Sequence, residues 1–461
     1  MEINKRTRRS TLIITCGASF IVPFMIYSLN LAIPNMGETY QASASLLNWV
    51  VNAFLLASAA FLLPFGRLAD IVGRKKLFML GLAISAVTCF ICAVSWSIEW
   101  LIVFRIVQGV GAALGFSTAV AILTSVYPPE ERGKVLGYNS AVVYFGLSLG
   151  PAVGGFLTFH WGWPSIFIFC GIIYLILFVL AVSLIKGEWK GPPGYKYDVP
   201  GAVIYVVGLI AFLYGLSSLQ EFWVSWLVLL GGLLLILVFI RRVFRIENPL
   251  LPLRLLTRNR VFAFSSLATF ANYSATFAIM FLMSLYLQSL LHHDTRIAGF
   301  VLLAQPVIMV IVSPFSGRLS DRVNPRIVSF IGMAITTMSL FLFAFIGLDT
   351  PMYLIVSNLA VCGVGFGLFA SPNSNAVMGS VEKSSYGLAS AALGSMRMIG
   401  QSLSMAVAAL ILSGFVGYVQ LSLASPTLLL AGIRTTFAVF GVISFLGLLA
   451  IWRSRTTKSY Q

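Results

Sequence analysis

The chain has 461 residues, of which 59% are hydrophobic and only 10% charged, with a mean hydropathy of +0.95. A water-soluble domain carries about 25% charged residues, so this composition excludes a soluble enzyme, a nucleic-acid-binding module and a secreted disulfide scaffold. The net charge of +16 suggests nucleic acid until the charges are located between apolar runs, where they report orientation in a membrane.

A helix needs about 20 apolar residues to cross the hydrocarbon core. In chain order the sequence predicts fourteen such spans, over residues 11–34, 46–66, 77–97, 101–125, 136–159, 164–185, 199–219, 223–241, 261–290, 297–316, 327–347, 352–371, 387–415 and 430–452. None alternates in the manner of a barrel strand, so helices are expected, giving an all-α integral membrane protein. The basic N-terminal run Lys5, Arg6, Arg8 and Arg9 leads into an apolar stretch too long for a signal peptide and is read as part of a retained first helix.

The 30 lysines and arginines test that count. With the N-terminus in the cytoplasm, they crowd the cytoplasmic loops and tails. Only Arg296 falls in an outer loop, and Arg105, Arg397 and Arg434 fall within spans. The positive-inside rule therefore supports fourteen spans with both termini cytoplasmic, in a multi-pass protein of the cytoplasmic membrane.

Two stretches resemble each other. Gly66-Arg67-Leu68-Ala69-Asp70, followed by Gly73, Arg74, Lys75 and Lys76, has a later counterpart in Gly317-Arg318-Leu319-Ser320-Asp321. Each follows the second helix of a six-helix group. The chain reads as an N-terminal bundle at 1–186, a two-helix insert with flanking loops at 187–260, and a C-terminal bundle at 261–461. Parallel halves of this kind enclose a substrate path near the bilayer midplane.

Those residues carry a family resemblance. Gly66 to Lys76 resembles the cytoplasmic signature between helices 2 and 3 of the major facilitator superfamily. Arg105, Gln108, Gly109 and Gly111 on helix 4 resemble its second signature. Gly146, Gly150, Pro151, Gly154 and Gly155 on helix 5 are similar to the signature of its antiporters, and Asn48-Trp49-Val50-Val51 opens helix 2. Fourteen spans point to the drug:proton antiporter branch. The resemblance covers the whole chain and implies proton-coupled export of small amphipathic compounds by alternating access. It implies no cofactor other than the proton gradient as energy source, and a monomer with lipid and substrate as its partners.

The residues themselves set out alternatives. Asp70 among Arg67, Arg74 and Lys75 can form a charge latch that holds one conformation, or can be a satisfied acid in a topogenic loop; Gly73 fits a turn with no room for a side chain. Arg105 is a cation in a membrane helix, about one turn from its outer end; the resemblance implies a part in proton coupling, and the alternative is a snorkelling or structurally paired arginine. The stripe Gly146, Gly150, Gly154 reads as simple small-residue packing; the resemblance implies instead a flexible gate in tight contact with the other half. Polar and aromatic residues of the central path are Tyr27, Asn30, Asn52, Phe54, Asn139, Tyr144, Asn272, Tyr273, Gln288, Gln305, Asn358, Asn375 and Arg397, with helix-pair glue as the alternative for each amide.

One departure from the family matters. All 14 acidic residues lie in loops, tails or at helix ends. Where many relatives carry an aspartate on helix 1, shortly before an Asn-x-Ala-x-Pro run, this chain has Met25 ahead of Asn30 to Pro34. The relatives' Trp-Arg-Trp run after helix 5 is also broken, with Pro164 and Ser165 after Trp163. Coupling would then fall to a peripheral acid, Asp70 or Glu38, and the buried cations would favour neutral, zwitterionic or anionic compounds over dications. Export of a lipid or other endogenous metabolite, or import in the same fold, with proton coupling weak or absent, stays open. Cys89 and Cys92 form a lone C-x-x-C inside an apolar run, read as packing. No metal site, no nucleic-acid partner and no clustered acid, base or nucleophile set of an enzyme is expected.

Overall fold

The computed structural model describes residues 5–190, 197–219, 223–246, 250, 259–381, 386–417 and 425–453. Among these residues, 14 helices are long and apolar enough to cross a membrane. They are α1 (Lys5–Tyr40), α2 (Ala44–Val72), α3 (Arg74–Ala93), α4 (Ile98–Val126), α5 (Pro129–Trp161), α6 (Pro164–Leu184), α7 (Val199–Ser217) and α8 (Val224–Val243). Then follow α9 (Arg260–Leu290), α10 (Thr295–Leu302 continued by Ala304–Arg322), α11 (Pro325–Phe343), α12 (Met352–Gly379), α13 (Tyr386–Val416) and α14 (Pro426–Arg453).

The helices start where a polar loop residue meets an apolar run. Ser43, Asp198, Asn259 and Asp294 each accept a backbone N–H of the first turn that follows, from Leu46, Gly201, Phe262 and Ile297. Such caps satisfy donors that the helix itself leaves free.

Several helices run beyond the sequence-predicted spans, α1 most of all. Two spans that read as continuous are broken. In α9 the regular helix ends at Thr276 and resumes at Ile279, and the amide of Ala278 donates to Ser404 Oγ on α13 at 3.1 Å. It then closes in a π turn over Tyr286–Leu290, where the Leu291 amide donates to the Tyr286 carbonyl. In α10 the break at Leu303 precedes Pro306, which has no N–H to return to the Leu302 carbonyl.

The two six-helix groups pair alike. α1 packs on α5 as α9 packs on α13; α2 on α4 as α10 on α12; α3 on α4 and α6 as α11 on α12 and α14. The likeness reaches single residues. A Cβ on Gly109 would lie 2.4 Å from the Phe54 carbonyl oxygen and meet Ala57. A Cβ on Gly363 would lie 2.4 Å from the Gln305 carbonyl oxygen and meet Ile308. Gly81 crosses Gly111 and Gly115 in the first group as Gly332 crosses Gly365 and Phe369 in the second. These are small-residue crossings, which let helices approach where no hydrophobic force drives them together in lipid.

α7 and α8 pack on each other, and α7 touches α2 and α13. Their outer faces expose Val203, Val207, Leu230, Leu234 and Leu237, a continuous apolar surface suited to lipid. At the start of this hairpin Asp198 pairs with Arg242 at 2.8 Å.

Candidate functional site

Arg105 is the largest fully buried side chain among the described residues, at 0% exposure. Its Nε donates to the Val50 carbonyl at 2.9 Å and its Nη1 to Gln108 Oε1 at 2.5 Å. The guanidinium carbon lies 4.2 Å from the Phe54 ring centre, and Nη1 lies 3.9 Å from Met25 Sδ. Gln108 passes its own amide on to Cys89 Sγ at 2.8 Å. Nη2 is buried without a hydrogen-bond partner. The arginine therefore does not snorkel: it sits about 10 Å along α4, deeper than the sequence suggested. Charge-assisted hydrogen bonds contribute about 1.5–3 kcal/mol each and a desolvated cation–π contact about 2 kcal/mol. Phe54, expected in the substrate path, instead forms the floor under this cation. Met25 of α1 faces the arginine with a thioether.

The signature turn between α2 and α3 is tied within its own half. Arg74 donates to Asp70 Oδ1 from Nε and Nη2, at 3.0 and 2.8 Å. Its Nη1 bonds the Ala121 carbonyl and Ser125 Oγ near the end of α4. Gly73 has φ +134°, and a Cβ there would lie 2.6 Å from the Glu188 carboxyl carbon. Glu188 accepts the amides of Lys75 and Lys76 at 2.8 and 3.2 Å, and the neighbouring Trp189 carbonyl accepts that of Arg74. A loop carboxylate thus caps the start of α3, where the helix dipole favours it. Nothing in the sequence pattern marked Glu188. Gly66 faces Ser117, and Gly317 in the second half faces Ser371. Arg318 is exposed; the Asp321 side chain lies outside the described residues. Glu38 is exposed at the opposite end of α1, far along the helix from Met25, so it does not reach Arg105.

The glycines of α5 divide into two faces. Gly146, Gly150 and Gly154 press on α1 of the same half: Cβ atoms there would meet the carbonyls of Phe20 and Phe24, Tyr27 Cβ and the Ser28 backbone within 3.0 Å. Ser28 Oγ closes the contact by donating to the Gly150 carbonyl at 2.9 Å. The stripe is therefore packing within one half. It is Pro151 and Gly155 that meet the other half. A Cβ on Gly299 of α10 would lie 2.7 Å from the Pro151 carbonyl oxygen, and one on Gly155 would lie 2.9 Å from that of Thr295. Gly299 escaped sequence reading because a lone glycine in an apolar run has many explanations.

The remaining path residues separate by partner. Tyr273 and Arg397 meet within the second half, and Tyr27 reaches it from the first. Tyr27 stands edge-on to Phe277 at 6.3 Å, Tyr273 edge-on to Phe366 at 5.4 Å, and the Arg397 guanidinium carbon lies 5.2 Å from the Tyr273 ring centre. Gln305 Nε2 approaches Cys362 Sγ at 3.6 Å. Asn30 and Asn272 are fully buried, with both amide ends lacking a hydrogen-bond partner, and Asn139 is buried with its Oδ1 likewise. Asn52 joins three units, donating to Ser217 on α7 and accepting from Ser402 on α13. Gln288 donates to the Leu31 carbonyl at 3.1 Å and so links the halves. Asn358 and Asn375 are glue within the second half: they donate to the Ser339 carbonyl and Ser320 Oγ. The Tyr144 side chain lies outside the described residues. Arg434 caps α11 by donating to the Ile346 carbonyl. Cys89 and Cys92 are free and buried, and no cluster of metal-ligating side chains occurs among the described residues.

Among the described residues, several bonds and ring contacts that join the halves share one position. Leu31–Gln288, Ser148–Pro306, Asn48–Met405, Asn52–Ser402 and Tyr27–Phe277 all lie in the half of their helices remote from the basic loops. The Pro151/Gly155–Gly299 crossing lies there too.

The sequence profile described as Major Facilitator Superfamily matches residues 15–405 and, in an overlapping stretch, 267–461. The riboflavin transporter RibZ of Clostridioides difficile (strain 630) is 31% identical over 379 residues, covering 82% of this chain and 82% of that protein. The methylenomycin A resistance protein of Bacillus subtilis (strain 168) is 28% identical over 420 residues, covering 89% of each. Among solved structures, the inward-facing, occupied form of a bacterial homologue of the human lysosomal transporter Spinster is similar. The TM-score is 0.70 at 16% identity, over 98% of this chain and 97% of that one.

Proposed function

The chain belongs to the Major Facilitator Superfamily, and from that premise we propose that it is a secondary active exporter of drug-like amphipathic compounds. It works by alternating access in the cytoplasmic membrane, with both termini in the cytoplasm and the proton gradient as energy source. Residues 1–186 and 261–461 form its two moving halves, joined by the insert at 187–260.

The observation that carries this reading is where the halves touch. Two bundles with matching internal pairing are tied by hydrogen bonds in the half of their helices remote from the basic loops. Two rigid bodies in contact at one end form one of the two states that rocking about a central site requires. With the basic loops cytoplasmic, this is the state closed toward the outside. Relatives named for riboflavin transport and for methylenomycin A resistance support a small organic cargo.

The test is uptake into everted vesicles with an imposed pH gradient, using a panel of neutral, anionic and cationic compounds. Uptake that collapses with the gradient is the expected result. Uptake that persists after the gradient is dissipated removes the antiporter assignment.

A second reading keeps the carrier and drops the proton. It is favoured by one observation: Met25, not an acid, faces Arg105. A buried carboxylate is the simplest proton carrier in a membrane helix, and no acid of this sequence falls in the middle of a span.

A further inference from the structure

We infer that the cargo site of the carrier proposed above is built for an aromatic compound bearing a single carboxylate, with that carboxylate held by Arg397. The inference rests on the reading of the chain as a carrier whose cargo binds between its halves.

Arg397 lies about 16 Å along α13, well inside an apolar span. A cation at that depth is costly and faces a path or a partner. Its partner is not a protein acid. The two ion pairs among the described residues, Asp70–Arg74 and Asp198–Arg242, sit at helix ends. No acidic residue lies within the sequence-predicted spans, and Glu38, Asp70 and Glu99 fall only near the ends of α1, α2 and α4.

What the guanidinium has is the face of Tyr273 at 5.2 Å. A ring face stabilises the charge but accepts none of the in-plane N–H groups. Nε of Arg397 is buried with no hydrogen-bond partner, and Gln401 Oε1, one turn further on, is in the same condition. A guanidinium over an aromatic ring, with its Nε unengaged, can receive a carboxylate through two parallel hydrogen bonds.

The walls supply the rest. Tyr273 stands edge-on to Phe366, and Tyr27, within electrostatic range of Tyr273, stands edge-on to Phe277. Tyr273 thus meets the Arg397 cation and Phe366 at once. Aromatic rings pair offset or edge-to-face with a flat apolar body, whereas a cationic compound would meet like charge at low dielectric. Arg105 does not compete for this role. It is wholly enclosed and packed between Phe54 and Met25.

The experiment measures binding to the purified full-length chain in detergent, with 1-naphthylacetate and its uncharged carboxamide as the matched probes. The acid is expected to bind at least tenfold more tightly than the amide. Arg397→Gln should bring that ratio to within about twofold of one. Arg397→Lys, which keeps the charge and loses the fork, should leave a few-fold preference. Elution as a single species and an unchanged melting temperature establish that each variant is folded. If Arg397→Gln does not fold, the fall of the ratio in Arg397→Lys decides the matter. Equal binding of acid and amide, no binding of either, or a ratio that survives both substitutions overturns the inference. Vesicle transport separates it from the function it rests on. Amide moved as readily as acid overturns the anion site and leaves the carrier. Acid bound with an Arg397-dependent ratio but never moved leaves the site and overturns the carrier.

Discussion

The Arg105 guanidinium lies 3.9 Å from Met25 Sδ, with Nη2 left without a hydrogen-bond partner beside it. A buried arginine facing a thioether keeps its charge without a counter-ion. Met25→Asp should supply one. We expect the variant to fold and to move a lipophilic cation such as ethidium several-fold faster than the parent under the same imposed pH gradient. Arg105→Leu should instead cost several-fold or more in transport, because Val50, Gln108 and Phe54 all lose their partner. Vesicle uptake at fixed and collapsed pH gradients measures both.

The glycines of α5 should fail in two distinguishable ways. Gly154→Val presses on the Ser28 backbone inside one half, an overpacking that costs about 1–3 kcal/mol of stability. Gly155→Val and Gly299→Val press across the interface between halves. They should leave the melting temperature nearer the parent value and push the remote ends of the halves apart. Melting temperature set beside transport separates the two classes.

Gly73 and Glu188 act on the same small volume. Glu188→Ala removes a cap and should destabilise by about 1 kcal/mol, in the range of helix-capping losses. Gly73→Ala both strains a φ of +134° and meets the Glu188 carboxyl. Part of its cost is therefore relieved when Glu188 is also alanine. A double-mutant cycle on thermal stability should show non-additivity of at least 0.5 kcal/mol.

Asp198 makes the insert sensitive to acid. Burial pushes its carboxyl up, but the Arg242 hydrogen bond, the Gly201 amide and the Arg242 charge together outweigh burial and hold it below the usual carboxylate range. A depressed acid contributes stability that is fully present above its unfolded value, about 3.9. That stability is lost as pH falls below that value and through the folded one. Asp198→Asn should lower the melting temperature at pH 7 and flatten its decline below about pH 4. A melting-temperature series across pH 3–7 checks the sign.

Hydropathy made the spans legible, because apolar length is a one-dimensional property of the chain. The repeat of Gly66–Asp70 at Gly317–Asp321 was legible for the same reason. Even the missing acid at Met25 could be located by counting back from Asn30. What hydropathy cannot convey is which way a membrane helix is rotated, since lipid and protein interior are equally apolar. Hence Asn358 and Asn375, read as lining the path, turn out to bind neighbouring helices, and Phe54 turns to Arg105. Breaks at Phe277 and Leu303 depend on partners far along the chain, such as Ser404. Glu188 reaches α3 from a loop more than a hundred residues later, and no local pattern marks such a cap.

The most direct test of two halves rocking about a shared site is a pair of distances measured by spin labels in proteoliposomes, on a cysteine-free background. One pair joins Thr39→Cys and His292→Cys, exposed at the end remote from the basic loops; the other joins Arg9→Cys and Arg322→Cys at the basic end. Addition of a transported compound should lengthen the first distance as it shortens the second. Two distances that stay fixed while the compound crosses the membrane would contradict the account.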